Sequence, residues 1–102
     1  MKSRVELQEK LESILGSEHV YFQPPSNIKM VYPAIVYELS GELATKANNN
    51  RYIVYNKYTV THIYKSIRNE LKAAIMDAFV FGEYDRRLIV DGLYQDVYTI
   101  YW

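Results

Sequence analysis

The sequence predicts an α+β fold: an antiparallel β-sheet with two α-helices packed on one face, in the order α-β-β-α-β-β. Three observations carry this. Residues 4–15 and 67–79 each repeat apolar side chains at i, i+4, i+7 and i+8, the spacing of one helix face. Runs dense in Val, Ile, Thr and Tyr occupy 34–39, 51–65, 87–90 and 96–102, the composition of strands. The length, 102 residues, is that of a single domain spanning 1–102, large enough for one modest core without covalent staples.

Taken in order, Ser3-Arg4-Val5-Glu6 forms a capping box, in which the Ser3 hydroxyl accepts from the Glu6 N–H and the Glu6 carboxylate reaches back. Leu7, Leu11, Ile14 and Leu15 line one face of the helix that follows, and Gly16 stands where a C-cap belongs. His19–Phe22 is a short extended piece. Pro24-Pro25 lack backbone donors and make 23–29 a loop. Pro33 is tolerable at the start of a strand, here Ala34–Leu39, closed by Ser40-Gly41.

Residues 42–50 have no period and end in three asparagines, which predicts an exposed loop. Arg51–Lys65 reads as strand throughout. At ~3.3 Å per residue it would span roughly 50 Å, so it either bends at Asn56-Lys57 or projects past the domain. Ser66 is the expected cap of the second helix, whose apolar face is Ile67, Leu71, Ala74, Ile75, Ala78 and Phe79, ending at Gly82. Arg87–Val90 and Asp96–Trp102 form a hairpin around Asp91-Gly92, with the register open because 91–96 exceeds a two-residue turn. The expected core joins Leu7, Leu11, Ile14, Leu15, Leu71, Ile75 and Phe79 to Ile35, Val60 and Ile100.

Composition narrows function. The chain has no cysteine, which excludes disulfides, thiolate catalysis and Cys-based metal centres. Twelve basic residues balance twelve acidic ones, unlike the basic excess of a dedicated nucleic-acid binder. The first residues lack the apolar run of a signal peptide, and no apolar stretch approaches the ~20 residues that span a bilayer. These features predict a soluble protein made in a reducing cytoplasm.

A catalytic constellation is not expected. The two histidines, His19 and His62, are far apart, and the glycines are isolated, so neither a metal pair nor a phosphate-cradling loop is present. Asp85, Asp91 and Asp96 lack the alternate spacing of a calcium loop and suit turns and caps. Tyr52, Tyr55, Tyr58 and Tyr64 with Arg51, Lys57 and Lys65 form a possible stacking platform, but the charge balance speaks against nucleic acid. The expectation is no enzyme, no cofactor and no metal. The abnormal figure is 11 Tyr against three Phe and one Trp. Tyrosine suits a surface that is wet before assembly and buried afterwards.

The run Val20-Tyr21-Phe22-Gln23-Pro24-Pro25, then Lys29-Met30-Val31-Tyr32-Pro33-Ala34-Ile35-Val36-Tyr37, resembles small tail-completion, or tail-terminator, proteins of long-tailed bacteriophages. Tyr58-Thr59-Val60-Thr61-His62-Ile63 and Asp96-Val97-Tyr98-Thr99-Ile100-Tyr101 resemble the same group, so the likeness covers residues 5–102 in order and spacing; only segment 42–57 departs from it. The resemblance implies a structural virion protein forming a homo-oligomeric, sixfold ring at the head-proximal end of the tail tube. Its partners would be the tail tube protein and a head-completion or stopper protein, with DNA only in transit through the lumen and no membrane. It would act in the virion neck after assembly in the host cytoplasm.

Two alternatives stand beside it: another neck component docking on the portal side, and a monomeric α+β protein-binding module. Candidate interface residues are Asn48, Asn49, Asn50, Arg51, Tyr52, Tyr55 and Tyr58 on the 42–58 segment, and Tyr101 and Trp102 at the C-terminal end. A ring subunit must cover its sheet edges, and a neighbouring copy is one way to do so.

Overall fold

The computed structural model describes residues 3–46, 52–66, 71–79 and 81–102, with the backbone alone for 43–46, 52 and 53. The element order is α1 (Arg4–Leu15), β1 (Val20–Phe22), β2 (Ala34–Lys46), β3 (Tyr52–Tyr64), α2 (Lys72–Ala78), β4 (Gly82–Val90) and β5 (Leu93–Tyr101). This corrects the α+β antiparallel expectation. The fold is mostly sheet, and its single five-stranded sheet is mixed, in the order β1-β2-β3-β5-β4. Three of the strands precede α2.

The parallel pair is β1 with β2, in the register Val20 with Ile35 and Phe22 with Tyr37. Residues 23–33 approach the dozen or so that a parallel crossover needs, so the chain returns to the starting end before re-entering the sheet. Gln23, at φ 44°, and Pro24-Pro25 stop β1 after three residues. The other pairings are antiparallel.

Helix α1 starts and ends as its sequence predicts. Ser3 Oγ accepts from Glu6 N–H at 3.2 Å, and the Gly16 N–H donates to Glu12 O at 2.8 Å. The helix is fastened to the sheet by a polar bridge: the Tyr37 hydroxyl donates to Gln8 Oε1, and Gln8 Nε2 donates to Val20 O at 2.9 Å. Arg4 donates to the Tyr37 hydroxyl at 3.1 Å. Burial pushes the Tyr37 hydroxyl above its ordinary pKa, against the opposing pull of Arg4.

The alternation of β-strand side chains sorts the sheet into two faces. On one, here the helix face, Ile35, Tyr37, Tyr58, Val60, Tyr98, Ile100 and Trp102 join Leu7 and Leu11 of α1 and Ile75 and Phe79 following from α2 in one buried cluster. The expected core residues are there, with Ile14, Leu15 and Leu71 packed at its margin. Gly82 begins β4 where a Cβ would stand 3.1 Å from the Ile100 side chain and 3.4 Å from Phe79 Cβ, so the strand enters close beneath α2. The opposite, open face carries Val36, Thr59, Thr61, Ile63, Val97 and Thr99.

Three boundaries differ from expectation. The second helix is described from Lys72, with Leu71 as its N-cap; residues 67–70, which the expected Ser66 cap would serve, lie outside the described residues. β4 begins at Gly82 rather than Arg87. β5 begins at Leu93 because Asp91 and Gly92, at φ 52° and 76°, form a tight two-residue turn with both central residues left-handed. The predicted 42–50 loop is strand as far as Lys46. Among the described residues no helix is long and apolar enough to cross a membrane.

Candidate assembly surface

The β2–β3 hairpin outruns the sheet it belongs to. β5 pairs with β3 only as far as Asn56, which exchanges both backbone hydrogen bonds with Trp102 at 3.0 and 2.8 Å. Beyond that point β2 and β3 continue alone through four residue pairs, Leu43 with Tyr55 to Lys46 with Tyr52. At ~3.4 Å per residue this arm is about 14 Å long, and the molecule measures 51 × 26 × 22 Å. A β-bulge at Ser40, between Leu39 and Gly41, lies just before the arm begins. The over-length of the tyrosine-rich strand, legible in the sequence, is thus resolved as projection.

The arm's base is aromatic on the open face. Tyr55 meets Phe81 edge-on at 5.6 Å, and Phe81 is 54 % exposed. Tyr101, half-buried, donates its backbone N–H to Phe81 O at 3.0 Å.

A second unpartnered feature is β4, the terminal strand of the sheet. Among the described residues nothing pairs with its outer side. It carries three consecutive apolar side chains that water reaches, Leu88, Ile89 (67 % exposed) and Val90. A strand edge of this kind is a template for another chain.

Besides its ladder with β5, β4 is tied to the sheet by an ionic cluster on the helix face, in which Asp96 is buried and Arg87 partly exposed. Asp96 of β5 is fully buried and accepts from Arg87 Nε of β4 at 2.7 Å and from the Tyr64 hydroxyl of β3 at 2.8 Å, with Tyr84 Oη at 3.4 Å. Burial opposes its ionisation, but the hydrogen bonds from Arg87 and then Tyr64 outweigh that and hold the carboxyl below its ordinary pKa. His62, also fully buried, stacks on Tyr64 at 4.6 Å, and Tyr64 stacks on Tyr94 at 5.3 Å. The cluster ties three strands together at the end of the sheet away from the arm.

The candidate residues from the sequence divide sharply. Asn48, Asn49, Asn50 and Arg51 lie outside the described residues. Tyr52 pairs with Lys46 at the far end of the described arm. Tyr55, against Phe81, and Tyr101, bonded through its backbone to Phe81 O, lie at the arm's base and are partly exposed. Tyr58 and Trp102 do not: Tyr58 is 4 % exposed and tilts against Tyr37 at 5.9 Å. Trp102 packs edge-on against Phe79 at 5.8 Å and donates its indole N–H to Ser3 O at 2.8 Å. Both are core residues of the single chain, which corrects their placement among interface candidates.

The carboxylates weighed for a cation have other work. Asp96 binds Arg87, Asp85 accepts from the Thr99 hydroxyl at 2.9 Å, and Asp91 sits in the tight turn. The surface residues that sequence reading missed are Leu39, Phe81, Leu88, Ile89 and Val90. The signal for the last three was present: three adjacent apolar residues in a strand place apolar groups on both faces, which is economical only if both become covered. The chain matches no protein-family model, and no curated protein matches it.

Proposed function

We propose that this protein is a structural assembly subunit: it forms a homo-oligomeric ring that caps the head-proximal end of a long-tailed phage tail tube and joins it to the head connector, with DNA passing through the lumen. The observation that carries the reading is the arm, about 14 Å of two-stranded ribbon that no third strand among the described residues accompanies. An isolated two-stranded ribbon is marginal in water, so an arm of this length gains by lying on a neighbour or an axial partner. The order and spacing of the tail-completion-like motifs name the kind of assembly. The charge balance suits a lumen through which DNA must slide, since a basic wall would hold phosphates through counterion release.

The deciding experiment is light scattering on the purified protein over a range of concentrations, followed by fractionation with separated phage tails and heads. A ring that binds tail-tube ends supports the reading. A ring that binds heads alone moves the protein to the portal side of the neck. A monomer at every concentration that binds neither removes the proposal in favour of a monomeric binding module.

A further inference from the structure

The sheet has two open edges, and they match. The first is the outer edge of β4, Gly82–Val90. The second lies at the other side of the sheet. β1 pairs with β2 only over Ile35–Tyr37, and from Ser40 to Lys46 no strand among the described residues covers the outer edge of β2. We propose that the outer edge of β4 in one copy pairs antiparallel with this outer stretch of β2 in the next, so that the sheet runs continuously from subunit to subunit. The inference rests on the ring reading and specifies which surfaces close the ring.

Four features of the molecule fit this pairing. First, direction: β3 is antiparallel to β2, β5 to β3 and β4 to β5, so β4 runs opposite to β2. Copies related by rotation about a ring axis keep their strand directions, and the two edges therefore meet in the antiparallel sense.

Second, backbone groups are presented on both edges. Val90 and Leu93 flank a two-residue turn and bond to each other, so the polar backbone groups of Ile89 face outward. Asn56 spends its backbone groups on Trp102, so its partner Glu42 directs its own toward the outer edge of β2.

Third, the two most exposed apolar side chains on any described strand are Ile89, 67 %, and Leu39, 49 %, one beside each edge. Ile89 pairs with Tyr94 and Leu39 with Tyr58, which puts both on the helix face. In a continuous sheet they stand side by side.

Fourth, with Ile89 beside Leu39, the bulge at Ser40 brings exposed Glu42 of β2 opposite Arg87 of β4 on the helix face, where Arg87 also holds Asp96. The competing arrangement, β4 against β4 about a two-fold axis in full overlap, would set Arg86 against Arg86, a like-charge pair that disfavours it. Two different edges meeting head to tail form a heterologous interface, the kind that closes into a ring.

The chain has no cysteine, so engineered ones report without background. Within one molecule β2 and β4 are separated by β3 and β5, about 14 Å at ~4.8 Å per strand, beyond the reach of a disulfide. The double variant Leu39→Cys with Ile89→Cys, oxidised at concentrations where the protein assembles, is expected to give a ladder of covalent oligomers on a non-reducing gel that collapses on reduction. Ile89→Lys in the otherwise unaltered chain is expected to weaken assembly about tenfold or more while leaving the melting temperature of the monomer nearly unchanged.

Oligomers that form normally in both variants without any cross-link overturn the edge pairing and leave the ring reading standing. Covalent dimers from Ile89→Cys alone show β4 meeting β4 and also overturn it. A chain that stays monomeric at every concentration removes the ring reading and this inference together.

Discussion

Strands β2 and β3 pass through two environments, and the contrast between them explains most of this molecule. From Ile35 to Tyr37 and from Tyr58 to Tyr64 they are interior strands, paired on both sides with the helices over one face. From Leu43 to Lys46 and from Tyr52 to Tyr55 they are a ribbon of two strands alone. The amino-acid types hardly change across the boundary: Tyr55 and Tyr58 are neighbours on one strand. Yet Tyr58 is buried against Tyr37 and Tyr55 meets a ring that is itself half in water. β-propensity set both as strand; neighbours decided which one became core. Stability should therefore reside in the body and association in the arm and edges, and substitutions can separate the two.

The largest effect is expected at Asp96. Asp96→Ala removes the buried acceptor of two charge-assisted hydrogen bonds, from Arg87 and Tyr64, each worth about 1.5–3 kcal/mol, so unfolding stability should fall by about 3–5 kcal/mol in urea titrations. The wild-type cluster also gives a pH signature. The folded pKa of Asp96 lies below its value in the unfolded chain, so its contribution is fully present above the ordinary value of 3.8 and is lost as pH falls through the lower folded value. Stability measured downward from pH 5 should drop steeply below about pH 4, and Asp96→Ala should flatten part of that slope. An unchanged slope would show that the acid sensitivity lies elsewhere.

Next comes the helix contact. Leu11→Ala, at a side chain with no exposed surface, should cost about 2–5 kcal/mol. The same truncation at the open edge, Ile89→Ala, should stay within about 0.5 kcal/mol in the monomer. Comparable losses at the two positions would mean that the edge is already covered within one chain.

These same contrasts mark what could be read from the sequence. Helix α1 was fully legible because its signals are local: the capping box, the Leu7–Leu11–Leu15 spacing and Gly16 all act within one turn of where they stand. Val60 and Ile100 were legible as core for a similar reason, lying in unambiguous strands. The parallel β1–β2 pair was not, since it depends on where the 23–33 loop returns the chain, and no residue in that loop encodes direction. The arm was half legible. The length of Arg51–Lys65 left a bend at Asn56-Lys57 or a projection open, while its partner strand was hidden because Glu42–Lys46 has weak β-propensity and is strand through pairing with β3. Trp102 misled for a chemical reason: terminal residues usually fray, but this one is fixed by a backbone pair to Asn56 and an indole bond to Ser3.

That bond predicts a smaller effect. Trp102→Phe keeps a ring against Phe79 and deletes the indole N–H, leaving the Ser3 carbonyl with the Leu7 N–H as its partner at the start of α1. A loss of about 0.5–1.5 kcal/mol is expected, with fluorescence and near-ultraviolet dichroism reporting the lost indole. A larger loss would place more of the α1 docking energy on this terminal side chain than its single hydrogen bond accounts for.

The smallest change in stability, and the sharpest separation of the two regions, should come from removing the arm. Replacing residues 43–55 by a two-residue Asn-Gly turn between Glu42 and Asn56 keeps the Asn56–Trp102 pair and every buried side chain of the core cluster. Closing a shorter loop favours the folded state slightly, since loop entropy grows with the logarithm of length. Among the described residues the contact given up is that of Tyr55 with Phe81, which is itself 54 % exposed, so little hydrophobic burial is lost. Thermal unfolding of the dilute monomer should therefore shift by no more than about 0.5–1 kcal/mol equivalent. Assembly, measured by light scattering on the same sample, should be lost, because the outer stretch of β2 goes with the arm. If the truncated chain instead unfolds at much lower temperature, the arm is part of the folding unit, and the division of this molecule into a body that folds and an arm that associates fails.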